Sequence, residues 1–199
     1  MQKRFVLTLA ALLVLAFNAQ AWAVTWKIDS AHSSAQFQVT HMMISKVNGS
    51  FSDVEGQVVL DGDDLSSATV EATIPAATIY TGTARRDAHL KSPDFFDVEK
   101  YPTLAFKSTK VTKAGDGSLK VAGQLTLHGV TNGVVLDVQP PSPAIKGPKG
   151  EGHIGLAAST TIHRKDFGIS WNKTLDSGGV MISEDVKVTL NIELVEHNQ

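Results

Sequence analysis

Hydrophobic and polar residues alternate along most of this chain. Val186, Val188, Leu190, Ile192 and Leu194 are separated by Lys187, Thr189, Asn191 and Glu193, the period of two that marks a half-buried strand. Ala35, Phe37 and Val39 alternate with Gln36, Gln38 and Thr40, and Val70, Ala72 and Ile74 with Thr69, Glu71 and Thr73. Leu119, Val121, Leu125 and Leu127 share one parity with Gly123 between them. Val134, Leu136 and Val138 repeat the pattern, as do Ile154, Leu156, Ala158 and Ile162. With Leu104–Phe106 and the segment 51–60, the pattern predicts about eight strands bounded by Gly, Asp, Asn or Pro. Evenly spaced strands without long helices between them predict an antiparallel sandwich or barrel.

One segment breaks the rhythm. Thr81 to Lys91 holds Ala84, Arg85, Arg86, Ala88 and Leu90, good helix formers without alternation, and predicts a short helix over one end of the sheet. The run 140–152 contains Pro140, Pro141, Pro143 and Pro148 and predicts a loop between strands rather than a domain linker. Gly56 and Gly123 fall inside strand patterns, where glycine marks a bulge or a bend. An eight-stranded barrel encloses either a packed core or one small ligand, and alternation does not choose between them.

The N-terminus reads as an address. Lys3 and Arg4 precede an uncharged, mostly apolar run from Phe5 to Phe17, and small residues follow at Ala19, Ala21 and Ala23. This is the layout of a secretory signal peptide cleaved after Ala23, so residues 1–23 are expected to be removed and 24–199 to form one domain. The run is too short for a spanning helix, and no cysteine is present to carry a lipid. The mature protein is therefore expected to be periplasmic, free of a stable membrane anchor; a homodimer is left open.

Composition narrows the chemistry. The absence of cysteine excludes disulfides, thiolate nucleophiles, Fe–S clusters and cysteine zinc sites. Eighteen basic against 20 acidic side chains, net −2, leave no electrostatic footprint for nucleic acid. Gly150-Glu151-Gly152-His153-Ile154-Gly155 matches GxGxxG literally, but a proline-rich loop precedes it and a strand-like run follows. No helix N-terminus is then available for a pyrophosphate. His32, His41, His89, His128, His153, His163 and His197 show no helical zinc spacing, so no metal is expected. There is no GxSxG nucleophile elbow, and Asp87 beside Arg86 and His89 reads equally well as an ion pair or a helix-end bond. Phe95 and Phe96 after the predicted helix, with Phe167, Trp171 and Trp26 near strand ends, form core or line an apolar pocket mouth.

Several blocks, read in order, resemble the YceI-like family, the polyisoprenoid-binding proteins of bacteria. They begin with Trp26-Lys27-Ile28-Asp29, Ala31-His32-Ser33 and Phe37 to His41, then Gly49-Ser50-Phe51 and Val54-Glu55-Gly56. The most specific are Arg86-Asp87-Ala88-His89-Leu90 and Ser92-Pro93-Asp94-Phe95-Phe96-Asp97, followed by Tyr101-Pro102 and Phe106-Lys107-Ser108. Gly123 to Thr131 and Arg164-Lys165-Asp166-Phe167-Gly168-Ile169 complete the set, which runs over essentially the whole expected mature chain.

The resemblance implies an all-β, eight-stranded, antiparallel, lipocalin-like barrel with short helical caps. It also implies a long apolar tunnel holding a polyisoprenoid or prenyl quinone, without cofactor or catalytic set. The apolar parities would then supply the wall. Phe37, Val39 and Phe51 come from the N-terminal runs, Val70, Ile74 and Phe106 from the middle. Leu125, Leu127, Leu136 and Leu156 follow, and Val188, Leu190 and Ile192 close the wall. Leu90, Phe95 and Phe96 would form the cap, with Arg86, Asp87, His41 and His89 meeting a polar head group. Two other classes stay open: an enzyme acting on a lipid head group at the mouth, and a packed structural barrel without ligand.

Overall fold

The computed structural model describes residues 23–62, 64–176 and 178–197, in which strands dominate and every pairing is antiparallel. The strands are β1 (Ala23–Ile28), β2 (Ser34–His41), β3 (Ser45–Phe51), β4 (Glu55–Asp61), β5 (Asp64–Pro75), β6 (Thr103–Lys113), β7 (Leu119–Leu127), β8 (Val130–Val138), β9 (Ile145–Lys146), β10 (Gly152–His163) and β11 (Asp185–His197). Eight of them close a barrel in the order β11-β1-β4-β5-β6-β7-β8-β10, with β10 returning to β11. The long strand β11 serves two neighbours: Leu194 pairs with Ile28 of β1, and Lys187 to Asn191 pair with β2. The β2–β3 hairpin is thus an extension of the wall beyond β1. Among the described residues no helix is long and apolar enough to cross a membrane.

The barrel's eight strands differ in membership from those that alternation picks out. Strand β1 was hidden because Val24, Trp26 and Ile28 stand against the expected cleavage site. Strand β3 carries only Val47 and Phe51 as large apolar residues, too few for a visible period. The segment 51–60 is two strands, because Asp53 turns the chain with a left-handed φ of 57° and Val54 plugs into the core. The helix α1 spans Ala84–Lys91 with Thr83 at its N-cap position, three residues later than the sequence suggests. In the proline-rich loop, β9 makes one short ladder with Gly152 and His153. Of the expected signal segment, all but Ala23 lies outside the described residues.

The two glycines anticipated inside strands act differently. Gly123 pairs with Ser108 where the β6 register slips by one residue, and an added Cβ there would meet the Phe106 ring at 2.4 Å. Gly49 does the same for Phe37, at 2.2 Å. Each phenylalanine lies across the bare backbone of its neighbour strand and presents its ring to the barrel interior. Gly56 is a bend, with φ +149° and Glu71 O only 2.1 Å from where a Cβ would stand.

The two ends of the barrel are unlike. One is plugged by Trp26, Leu60, Val111, Leu119 and Val138, all buried. At the other, α1 and residues 92–102, 168–176 and 178–184 lie over the opening, seated on Phe95, Phe167 and Ile169.

Two histidines clasp β10 to β11. His153 Nδ1 donates to Glu193 Oε1 at 2.8 Å and its Nε2 faces Glu151 Oε1 at 3.3 Å. His163 faces Asp185 at 2.8 Å and Glu184 at 3.1 Å. Only an imidazolium donates from both ring nitrogens, so hydrogen bonding to Glu193 and Asp185, respectively, raises both histidines above their ordinary 6.5. A raised folded-state value gives stabilisation that is complete below about pH 6.5 and disappears as pH climbs through the raised value. Glu151 and Glu184 are lowered from 4.5, by backbone hydrogen bonding and by the Lys165 bond respectively. Their contribution is lost in the opposite direction, on acidification below 4.5. Thermal melting should therefore peak between about pH 4.5 and 6.5 and fall toward pH 9. A His153→Gln, His163→Gln double variant should flatten the alkaline slope, and an unchanged slope would remove the clasp as its cause.

Candidate functional site

The inward parity does not meet in the middle. The barrel encloses a cavity of about 520 Å³, within the range typical of small-molecule sites. Its wall is built from the alternating positions of every barrel strand. Val186, Val188, Leu190, Ile192 and Leu194 of β11 line it, as do Leu119, Val121, Leu125 and Leu127 of β7. Leu190 and Phe37 are only half-buried although they point away from bulk solvent, because they face a hollow. Among the described residues no large side chain is fully buried. Eight strands suffice for a filled interior; this one is left open.

Nearly all the residues proposed from sequence meet here. Phe37, Val39, Phe51, Val70, Ile74, Phe106, Leu125, Leu127, Leu136, Leu156, Val188, Leu190 and Ile192 line the cavity. Leu90, Phe95 and Phe96 line it from the covered end, joined by His41, Arg86 and His89. Asp87 is the correction. It is buried on the first turn of α1 and does not line the cavity. Its Oδ1 accepts from Thr81 N at 2.9 Å and Thr81 Oγ1 at 2.5 Å, so it ties down the entry to the helix. Arg86 is also partly committed there, donating from Nε to Thr81 Oγ1 and from Nη2 to Thr81 O, each at 2.7 Å.

The covered end combines aromatic rings with nitrogen donors. His89 lies edge-on to Phe95 and to Trp171, with centroids 5.0 Å away in each case, and bonds to Asp94 at 2.8 Å. His41 bridges to Ile182 at the end of β2. Beyond it the turn Met42-Met43-Ile44 projects into solvent, with left-handed φ values of 50° and 64° at the two methionines.

Arg164 was not singled out from sequence, although its signal was present. The even parity of Ile154, Leu156, Ala158, Thr160 and Ile162 continues one step further to Arg164, which starts a 3-10 turn (Arg164–Phe167) and lines the cavity. It is 4% exposed. Its Nε donates to Ser183 O at 3.0 Å, and Nη1 to Ile169 O at 2.8 Å and Trp171 O at 2.9 Å. Burial lowers its guanidinium below the ordinary arginine value. Away from the cavity, Asp29, His32 and Glu193 bring ligand atoms within 4.8 Å of one another, but Asp29 and His32 already bond at 2.9 Å.

Comparison with known proteins agrees with this architecture. A family model described as the YceI-like domain matches residues 26–194. A UPF0312 protein of Staphylococcus aureus is 38% identical over 165 residues, covering 83% of this chain and 94% of that protein. The crystal structure of the Campylobacter jejuni YCEI protein matches with a TM-score of 0.68 at 30% identity, over 80% of this chain and 90% of that one. Burkholderia cenocepacia BcnA matches at a TM-score of 0.70 and 20% identity, over 83% and 98%. A polyisoprenoid binding domain from Saccharophagus degradans matches at 0.64 and 17%, over 86% and 98%. At such identities the last two speak to the fold alone.

Proposed function

The chain belongs to the YceI-like family, and on that premise we propose that it binds and carries a long-chain isoprenoid lipid or prenyl quinone in its barrel, without transforming it. The observation that carries this reading is the hollow, apolar interior, with one end plugged and the other covered by α1 and two loops. On this reading the chain chemistry is the one named for the Saccharophagus degradans structure of the same fold, described as a polyisoprenoid binding domain. Each methylene moved from water into such an interior contributes about 0.8 kcal/mol. The ordering of a flexible chain offsets much of that sum, so a carrier holds its cargo firmly and still releases it.

The layout of residues 1–23 supports export to a periplasm, where the mature protein would act free of a membrane anchor. The direct test is mass spectrometry of an organic extract of the mature protein, purified from the exported fraction without detergent. A stoichiometric prenyl lipid or quinone is expected. Empty protein that also fails to take up added prenyl lipid would end this reading and leave a barrel without cargo.

A further inference from the structure

Three large apolar side chains stand exposed in succession at the turn between β2 and β3: Met42 at 41%, Met43 at 66% and Ile44 at 83%. The other exposed large apolar residues among those described, Tyr80, Val130, Val135 and Ile145, stand singly, as surface apolar residues ordinarily do. The turn is also strained. Met42 and Met43 both hold left-handed φ, 50° and 64°, a conformation that glycine or asparagine adopts more easily. Folding alone would favour those residues here, because the two methionines gain little burial in return. Met-Met-Ile in a strained turn that faces water points to a use outside the folded chain.

The turn is fixed to the rim of the covered end. Met42 N donates to Met181 O at 2.7 Å, and Met181 N to Lys173 O at 2.9 Å. Ser183 N donates to Thr40 O at 2.9 Å, and Met43 Sδ lies over Gly179, where it leaves no room for a Cβ. Residues adjoining the turn on both elements, Val39, His41, Val47, Met181 and Ile182, line the cavity. The exposed apolar tip therefore stands directly beside the apolar interior.

Lysines flank it. Lys46 follows Ile44 by two residues, Lys173 holds Met181, and both are exposed. Among the described residues the lysines in ion pairs are Lys107, Lys120 and Lys165, so neither flanking lysine is neutralised. Of the acids near the rim, Glu184 and Asp185 are engaged by Lys165 and His163, which leaves Asp176 as the exposed acid of the adjoining turn. An apolar tip between lysines complements an anionic lipid surface. It suits a protein partner less, because a stable protein interface takes roughly 20 residues a side, whereas a bilayer requires no matching shape.

We propose that Met42, Met43 and Ile44 form a membrane-docking tip, which enters the headgroup region of an anionic bilayer and sets the covered end of the cavity against the lipid. The contact is peripheral and reversible, since even one myristoyl chain gives only marginal binding. It extends the carrier reading by saying where cargo is exchanged. The two fail separately, because docking is read whether or not the cavity is filled.

The test is co-sedimentation of the mature protein with vesicles of phosphatidylethanolamine and phosphatidylglycerol, beside vesicles of phosphatidylcholine. Binding to the anionic vesicles is expected, weaker on the neutral ones and at high salt. The triple variant Met42→Asn, Met43→Asn, Ile44→Ser should lower partitioning about tenfold or more without lowering the melting temperature, because asparagine suits both left-handed positions. Lys46→Gln should lower it about fivefold. Equal partitioning of the triple variant and the original protein overturns the assignment to this tip. An original protein that binds neither vesicle overturns membrane docking and leaves the carrier reading intact; self-association lost in the triple variant would then give the tip to a second copy. Should the triple variant fail to fold, Ile44→Ser alone carries the test at the most exposed position. A severalfold loss is expected there, and no loss overturns the proposal.

Discussion

Leu190→Trp is expected to empty the barrel of its cargo while leaving the barrel folded. Leu190 lies near the middle of β11, paired with Ala158 on one side and Ala35 on the other, and it lines the cavity. Two alanine neighbours leave an indole room to extend inward across the hollow. In a close-packed core such an enlargement forces strain of about 1–3 kcal/mol. Here the added atoms enter empty space, so melting should shift little or rise. If the indole displaces roughly four methylenes of a bound chain, the lost burial is about 3 kcal/mol at about 0.8 kcal/mol each, or about a hundredfold in affinity. Lipid occupancy by mass spectrometry and a melting curve check both halves. Unchanged occupancy with a lowered melting temperature would mean that Leu190 packs against side chains rather than cargo.

Gly56→Ala should be the most damaging single methyl group in the wall. Gly56 pairs with Ala72 across β4 and β5, with φ +149°, and its Cβ would stand 2.1 Å from Glu71 O and 2.7 Å from Ala72 Cα. Both obstacles are backbone in an adjacent barrel strand, so neither side chain rotation nor a local shift relieves them. A disallowed conformation combined with a backbone clash should cost about 3 kcal/mol or more. For a protein of this size that lowers melting by about 6–12 °C. Gly62→Ala is the matched control: φ is +60° but nothing lies within 4 Å, so only the left-handed penalty of about 1 kcal/mol applies. Equal melting of the two variants would refute the close approach of β4 to β5.

The wall and its chemistry were differently legible in the chain. Strands β7, β8, β10 and β11 announce themselves because each has one face toward the hollow and one toward water, and a pleated strand converts that division into alternation. The same logic puts Leu125, Leu127, Leu136 and Leu156 inside before any coordinate is known. Strand β3 leaves no alternation, and only the resemblance of Gly49-Ser50-Phe51 marks it, because its hairpin lies beyond the main ring and carries Ser, Lys, Asn and Gly where a wall strand would carry branched residues. The break between β3 and β4 turns on Asp53, whose left-handed conformation leaves no mark in hydropathy. Arg164 continued a readable parity, but a charged residue at the end of a strand ordinarily faces water. Its burial depends on Ser183, Ile169 and Trp171 arriving from a later segment.

Asp87 shows the reverse case. Its place between Arg86 and His89 suggested a group in the cavity, whereas its carboxylate turns back to Thr81. Local sequence establishes that these side chains share a helical turn; rotation of the helix about its axis, set by packing on Phe95 and Leu90, decides which of them face inward.

By itself the sequence determined an all-β antiparallel architecture, the inward parity of most strands, the helix after residue 81 and the family resemblance. These follow from short-range periodicity and residue type, which the chain carries locally. Only the tertiary structure decided that the ring closes through β11 and β10, that one end is plugged and the other covered, and that the interior stays hollow. Closure needs β1 to meet β11, where Trp26 pairs with Glu196 from the far end of the chain, and a methyl group facing a cavity looks the same in sequence as one facing another methyl group.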